Sequence, residues 1–287
     1  METPEGRPNS SRPQTRAAAP LQMKTGIAYG SHKRQSLDAY WAVSTAPKPV
    51  LVIIHGGYWY QDSDWSNWTD DFAAEGFQVF AIKYRMNFEA AWPAQRDDVA
   101  SSIAWIRAHA AEYDADPDNV SVIGASAGGQ MATDAATHGT NALKLRGVVA
   151  LSPVASPYRA WGDGNTSTNA KDRKLRDNAA ILAGCYPDSG DNTTDLRNSG
   201  CWDTWKSMVS KNWVNRGDAP MLLMHSEDDF VPAIHSTDLE TTAEAKGVPD
   251  ADVETQIVPD SSAHGGALLS EPGVYDSVVT WLKARTA

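Results

Sequence analysis

Ser126 is the residue around which chemistry can be built: it sits in Gly124-Ala125-Ser126-Ala127-Gly128, a G-x-S-x-G pattern. A serine hydroxyl is a weak nucleophile and reacts only when a base takes its proton and a third group orients that base. The pattern puts glycines two residues either side of the serine, where a sharp strand-to-helix turn leaves no room for a Cβ. A small-residue loop carrying an ordinary exposed serine would show the same letters, so the flanks decide. Val120-Ser121-Val122-Ile123 reads as a short buried strand, and Gln130-Met131-Ala132-Thr133 opens a helix. That is the context of a nucleophile elbow.

The base must come from seven histidines. With this elbow the chain order is serine, then acid, then histidine. His32, His55 and His109 precede the serine, and His138 follows it by only a helix length. The acidic pair Asp228-Asp229 lies just beyond the apolar run Met221–Met224, and only His235 and His264 follow it. His235 opens the next helix and is expected at the surface. His264, in Ser261-Ser262-Ala263-His264-Gly265-Gly266, occupies a flexible turn after the last strand and is the expected base. Counting from the strand end at His225 favours Asp229 as the acid, whereas counting back from Val231-Pro232 favours Asp228. Asp229 is taken, with Asp228 as the alternative and Glu227 a third.

A tetrahedral intermediate also needs backbone N–H donors aimed at its oxyanion. Ala127, directly after the serine, supplies one. His55-Gly56-Gly57-Tyr58-Trp59 follows the apolar strand Val50–Ile54 and offers the others, since glycines let the backbone approach a substrate. His55 is then read as a residue that holds this loop by hydrogen bonds. Tyr58, Trp59, Trp65, Trp68 and Trp92 all fall near the same predicted sheet edge, which suggests an aromatic-lined pocket with Trp59 touching substrate.

The elements that must position these residues alternate. Strand-like pieces occur at 27–29, 37–43, 50–54, 78–84, 120–123, 148–151, 221–224 and 253–258, with helices near 68–75, 94–112, 130 onward, 236–246 and 275–284. Continuous rather than alternating apolar runs argue for a sheet covered on both faces, hence an α/β protein with a mostly parallel central sheet. The rhythm breaks between about 152 and 218, a long polar stretch expected to carry helices of its own and to cover a site. Residues 1–22, rich in Pro, Arg, Ser and Ala, read as a disordered tail ahead of one domain over 23–287.

With 287 residues, 41% hydrophobic and 21% charged, the composition is that of a globular domain. A net charge of -11 without a basic cluster argues against nucleic acid or an anionic membrane as partner. No apolar run has the length of a transmembrane helix. The two cysteines, Cys185 and Cys201, lie in one polar region, where a disulfide and two free thiols both fit; a disulfide would favour a secreted protein. Without Cys-x-x-Cys or a neighbouring histidine, no zinc site is expected.

HGGYW, GASAGGQMA, HSEDDFVP and the AHGG turn together resemble the α/β-hydrolase superfamily, and within it the hormone-sensitive-lipase-like carboxylesterases and the arylformamidases. The resemblance runs from about Ala28 to Trp281. It implies the eight-stranded hydrolase sheet flanked by helices, a Ser126–His264–Asp229 (or Asp228) triad, oxyanion donors at Gly57, Tyr58 and Ala127, and neither metal nor organic cofactor. The implied activity is hydrolysis of short acyl or aryl esters, small molecules, through an acyl-enzyme. Two departures matter. The loop is HGGYW where many esterases of this branch have HGGG, and its tyrosine keeps an arylformamidase reading open. HSEDDFVP is one residue shorter than the common H-G-x-x-D-x-x-V-P spacing, which leaves the acid open. A catalytically inactive binding module on the same fold is the remaining reading. The long N-terminal helical cap of many lipase-like esterases has no counterpart here, so a lid is expected from 152–218. Compartment and oligomeric state are not legible.

Overall fold

The computed structural model describes residues 20–187 and 200–286. Eight strands form one sheet: β1 Leu21–Ala28, β2 Ser36–Ala42, β3 Lys48–Ile54, β4 Gln78–Ile82, β5 Ala115–Ala125, β6 Gly147–Leu151, β7 Met221–Ser226 and β8 Val253–Val258. Their order is β1-β2-β4-β3-β5-β6-β7-β8. β2 runs antiparallel to both its neighbours, and every other pairing is parallel. The tail expected over 1–22 ends sooner, because Leu21 and Gln22 already pair with Ala42 and Trp41 in the first ladder. The rest of that tail, residues 1–19, lies outside the described residues.

The apolar runs fold as expected for strands buried on both faces. Val50, Val52 and Ile54 join one core cluster and Leu51 and Ile53 the other, the period of two that a pleated strand imposes. Helices α2 (Ala94–Ala108), α3 (Ala127–Thr137) and α7 (Ile234–Ala245) pack Val99, Ile103, Met131 and Leu239 onto the first face. Helices α1 (Ser66–Ala74) and α8 (Val274–Thr286) pack Phe72, Val278 and Leu282 onto the second.

Among its described residues the stretch between β6 and β7 carries three α-helices: α4 (Pro157–Thr166), α5 (Ala170–Ala183) and α6 (Gly200–Ser207). Their starts are written locally. Pro157 is preset for a first helical turn, and the Ser156 hydroxyl accepts from Arg159 N at 3.2 Å. Asn169 caps α5 by accepting from Lys171 N at 2.9 Å, and Gly184 ends it in the left-handed region. Cys185 and Cys201 are bonded, so α5 and α6 are joined covalently.

Candidate active site

The residues singled out by the sequence converge at the C-terminal ends of β3, β5, β7 and β8, outside the parallel strands, where open α/β sheets bind ligands. Ser126 lies between β5 and α3 with φ 54° and ψ −116°, a conformation that strains a residue with a side chain. Its backbone is tied on both sides: its N–H donates to Leu151 O at 2.8 Å, and its carbonyl accepts from Gln130 N at 3.0 Å and Val154 N at 3.2 Å. Neighbouring glycines make this turn possible. A Cβ at Gly128 would stand 2.2 Å from Ile54 O and 2.4 Å from His55 O, so only glycine lets the elbow pack against the end of β3.

His264 and Asp229 meet. His264 Nδ1 donates to Asp229 Oδ1 at 2.8 Å. A carboxylate can only accept, which fixes the proton on Nδ1 and leaves Nε2 as the basic nitrogen. The Asp229 carboxylate is fully buried, and Oδ1 also accepts from Val231 N at 3.0 Å. Asp228, the alternative acid, is exposed, and its N–H donates to Ser261 O; Glu227 is exposed too. The histidine turn is seated against the elbow. Gly265, at φ 60°, would place a Cβ 3.3 Å from Ala125 Cβ and 4.0 Å from Ser126 Cβ. Two serines hold the turn there: Gly265 N donates to Ser152 Oγ at 2.9 Å, and Ser226 Oγ donates to Ala263 O at 2.7 Å. Neither was singled out in the sequence, although both stand at strand ends beside the elbow and the acid.

The loop after β3 carries three successive positive φ values, at Gly57 (107°), Tyr58 (59°) and Trp59 (54°). Gly57 O accepts from Tyr60 N and Gln61 N, both at 3.0 Å, which closes the loop into a tight turn. Ala127 N belongs to the first turn of α3, where no helical carbonyl is available to it. The loop runs beside the serine, since a Cβ at Gly56 would stand 3.2 Å from Ser126 Cβ. His55 holds the loop: its Nδ1 donates to Gly56 O at 2.7 Å, its ring stacks on Tyr84 at 4.3 Å, and Tyr84 Oη donates to its carbonyl at 3.0 Å. Burial lowers the His55 pKa to about 4, so the ring stays neutral.

Two expectations need correction. Trp59 is not a substrate contact. Its side chain has 0% exposure, lies in the core cluster that includes Met131 and Tyr84, and donates Nε1–H to Gln130 Oε1 at 3.1 Å. An indole buries most of its area when its N–H finds a partner, and Gln130 provides one. His235 is not at the surface. It is buried, its Nδ1 accepts from Ser156 N at 3.2 Å, and burial pushes its pKa down to about 3. Trp65 and Trp92 are buried as well, and Trp68 stacks on Tyr275 at 5.6 Å. The rings beside the machinery are Tyr58 and Phe230, stacked at 6.3 Å, with Phe230 4.3 Å from the His264 ring. A cleft of about 850 Å³ does involve Trp202 and Trp213, but it lies within the α4–α6 region and is not lined by Ser126, Asp229 or His264. Among the described residues no cluster of metal ligands occurs, and no helix is long and apolar enough to cross a membrane.

A histidine oriented in this way can take a proton at Nε2 and hold the resulting imidazolium against a buried carboxylate. Comparison with known proteins points the same way. The BD-FAE family model matches residues 37–153, from β2 to just beyond β6. Over 117 residues the chain is 33% identical to the probable carboxylic ester hydrolase LipM of Mycobacterium tuberculosis, a match covering 38% of this chain and 27% of LipM. The chain thus spans about a quarter of the length of that relative. It is 27% identical over 201 residues to probable carboxylesterase 5 of Arabidopsis thaliana, covering 63% of this chain and 54% of the relative. The crystal structure of an inhibited esterase B from Lactobacillus rhamnosis superposes with a TM-score of 0.72 at 20% identity, over 93% of this chain and 87% of that one. The chain has the α/β-hydrolase fold, and the relatives it resembles in sequence are carboxylesterases.

Proposed function

We propose that the chain is a serine hydrolase of carboxylic esters. The observation that carries the reading is the 2.8 Å bond from His264 Nδ1 to the buried Asp229 carboxylate, on a turn seated against a serine in elbow geometry. Ser126 Oγ attacks the ester carbonyl while His264 Nε2 takes its proton. The negative charge that develops on the carbonyl oxygen is met by N–H groups of Ala127, Gly57 and Tyr58. Collapse of the intermediate expels the alcohol, protonated by His264, and leaves an acyl group on Ser126. Water then enters, His264 takes its proton, and the carboxylic acid departs with the serine restored. Asp229 holds the imidazole in the productive tautomer and stabilises its positive form. The ester specificity of the named relatives supports this bond type over an amide. The Cys185–Cys201 bond supports an oxidising compartment as the place of action.

The test is hydrolysis of 4-nitrophenyl acetate by the wild type and by Ser126→Ala. Loss of activity by several orders of magnitude is expected in the variant. Undiminished turnover there would overturn the assignment. Parallel assay of an aryl formamide separates the ester reading from the arylformamidase one.

A further inference from the structure

Resting on the ester-hydrolase reading, we infer that the site prefers esters carrying a carboxylate near the scissile bond, selected by Lys171 and Lys174 of α5. The machinery at the strand ends is bordered by the Tyr58 and Phe230 rings. Phe230 follows the acid Asp229 in the chain and stands 4.3 Å from the His264 ring; Tyr58 belongs to the oxyanion loop. Above each ring lies one ammonium. Lys171 Nζ is 5.2 Å from the Phe230 centroid, and Lys174 Nζ is 4.5 Å from the Tyr58 centroid and 5.9 Å from that of Tyr60. One ring therefore meets both the Lys171 charge and the catalytic imidazole.

Positions 171 and 174 are three apart on one helix, so both side chains leave the same face, toward the site. Both residues are exposed, and their charges are available to a ligand. Of the nearby carboxylates, Asp172 lies close enough to oppose part of this charge, since it adds to burial in raising the Tyr58 pKa and lines a cavity with Phe230, so the two ammonium groups outweigh it rather than act alone. Asp172 Oδ2 accepts from Ser167 Oγ at 2.6 Å, and Asp163 faces Arg159 at 4.0 Å. α5 itself carries Lys171, Arg173, Lys174 and Arg176 against Asp172 and Asp177, a positive segment on a chain of net charge -11. For packing alone, uncharged long side chains would cover the rings equally well. Two cations placed over the two rings beside the catalytic imidazole attract an anion toward it, and because both are exposed that attraction is screened by salt.

The experiment compares kcat/KM for 4-nitrophenyl hemisuccinate with that for 4-nitrophenyl acetate, and for 3-acetoxybenzoate with that for phenyl acetate. The first pair puts the carboxylate on the acyl side and the second on the leaving-group side. In at least one pair the anionic-to-neutral ratio is expected to fall by about fivefold or more in the Lys171→Glu/Lys174→Glu double variant. The ratio should be kept in Lys171→Arg/Lys174→Arg and should shrink at high salt. Ratios unmoved by charge reversal in both pairs would overturn the proposal. If the wild type cleaves none of these esters, the ester-hydrolase reading fails on its own. The charge selection is then read by calorimetry, as binding of the two anionic esters to Ser126→Ala with and without the charge reversal. Equal affinity in that titration would likewise overturn it.

Discussion

Trp59 Nε1 donates to Gln130 Oε1 across 3.1 Å, and this bond joins the loop after β3 to the first turn of α3. Gln130 Nε2 also donates to Met208 O at 3.3 Å, so one buried amide connects the loop, the elbow helix and the segment that follows α6. Trp59→Phe keeps most of the ring but leaves the Gln130 oxygen without its donor. Stability by urea denaturation is expected to drop by about 1–3 kcal/mol. The preference among acyl-chain lengths should stay as in the wild type. A selective change in that preference without loss of stability would return Trp59 to the substrate side.

Asp228 and Asp229 are neighbours with opposite surroundings, one exposed and the other holding the His264 ring from a fully buried carboxylate. Asp229→Asn would favour the wrong imidazole tautomer, and kcat should fall by roughly 10³–10⁴-fold. Asp228→Asn, at the surface, should keep activity within about twofold. Steady-state kinetics on one neutral ester reads both. Equal losses in the two variants would contradict this division.

Asp134 on α3 is completely buried, and neither carboxyl oxygen finds a hydrogen-bond donor among the described residues. Burial raises its pKa from the ordinary 3.8 to about 7, with Arg96 pulling the other way. The folded state therefore binds this proton more tightly than the unfolded chain. Its contribution to stability is fully present below pH 3.8 and is lost as pH rises through about 7. Asp134→Asn removes the titration. The variant should be more stable than the wild type at pH 8, by a few degrees in Tm, with the gain shrinking toward pH 4.5. Thermal unfolding at the two pH values checks it; a constant difference would show that Asp134 does not titrate in this window.

The Cys185–Cys201 bond closes a loop of sequence separation 16. Cross-links over such loops stabilise by about 3 kcal/mol in the chain-entropy account. Unfolding in the presence of dithiothreitol, or of Cys185→Ser/Cys201→Ser, should shift the denaturation midpoint downward. An unchanged midpoint would mean the two sulfurs are not joined in solution.

Much of the site was legible because its requirements are local. Gly124, Ser126 and Gly128 are demanded by one turn, and the apolar runs at 50–54 and 120–123 became β3 and β5 with the register that faces the elbow toward the HGG loop. Chain order narrowed the base to His235 and His264, and the glycine-flanked turn after the last strand chose His264. The choice between Asp228 and Asp229 could not, because it depends on which side chain turns inward as β7 ends, and one residue of spacing reverses that. Trp59 and His235 were misjudged for a common reason. Both are loop or helix-start residues with polar atoms, ordinarily a mark of exposure, yet each is buried because a partner distant in sequence satisfies it: Gln130 in one case, the Ser156 N–H in the other. Lys171 and Lys174 gave no signal, since a lysine pair on a polar helix says nothing about the ring beneath it.

The excursion carrying α4 to α6 leaves the sheet after β6 and returns at β7, while every group proposed to take part in bond cleavage sits on strand ends outside it. Chemistry and selection are thus written in separate stretches of the gene. Grafting a different 157–207 segment, with Ser152, Val154 and Met208 kept, should change which esters are accepted and leave the serine, histidine and aspartate geometry as it stands.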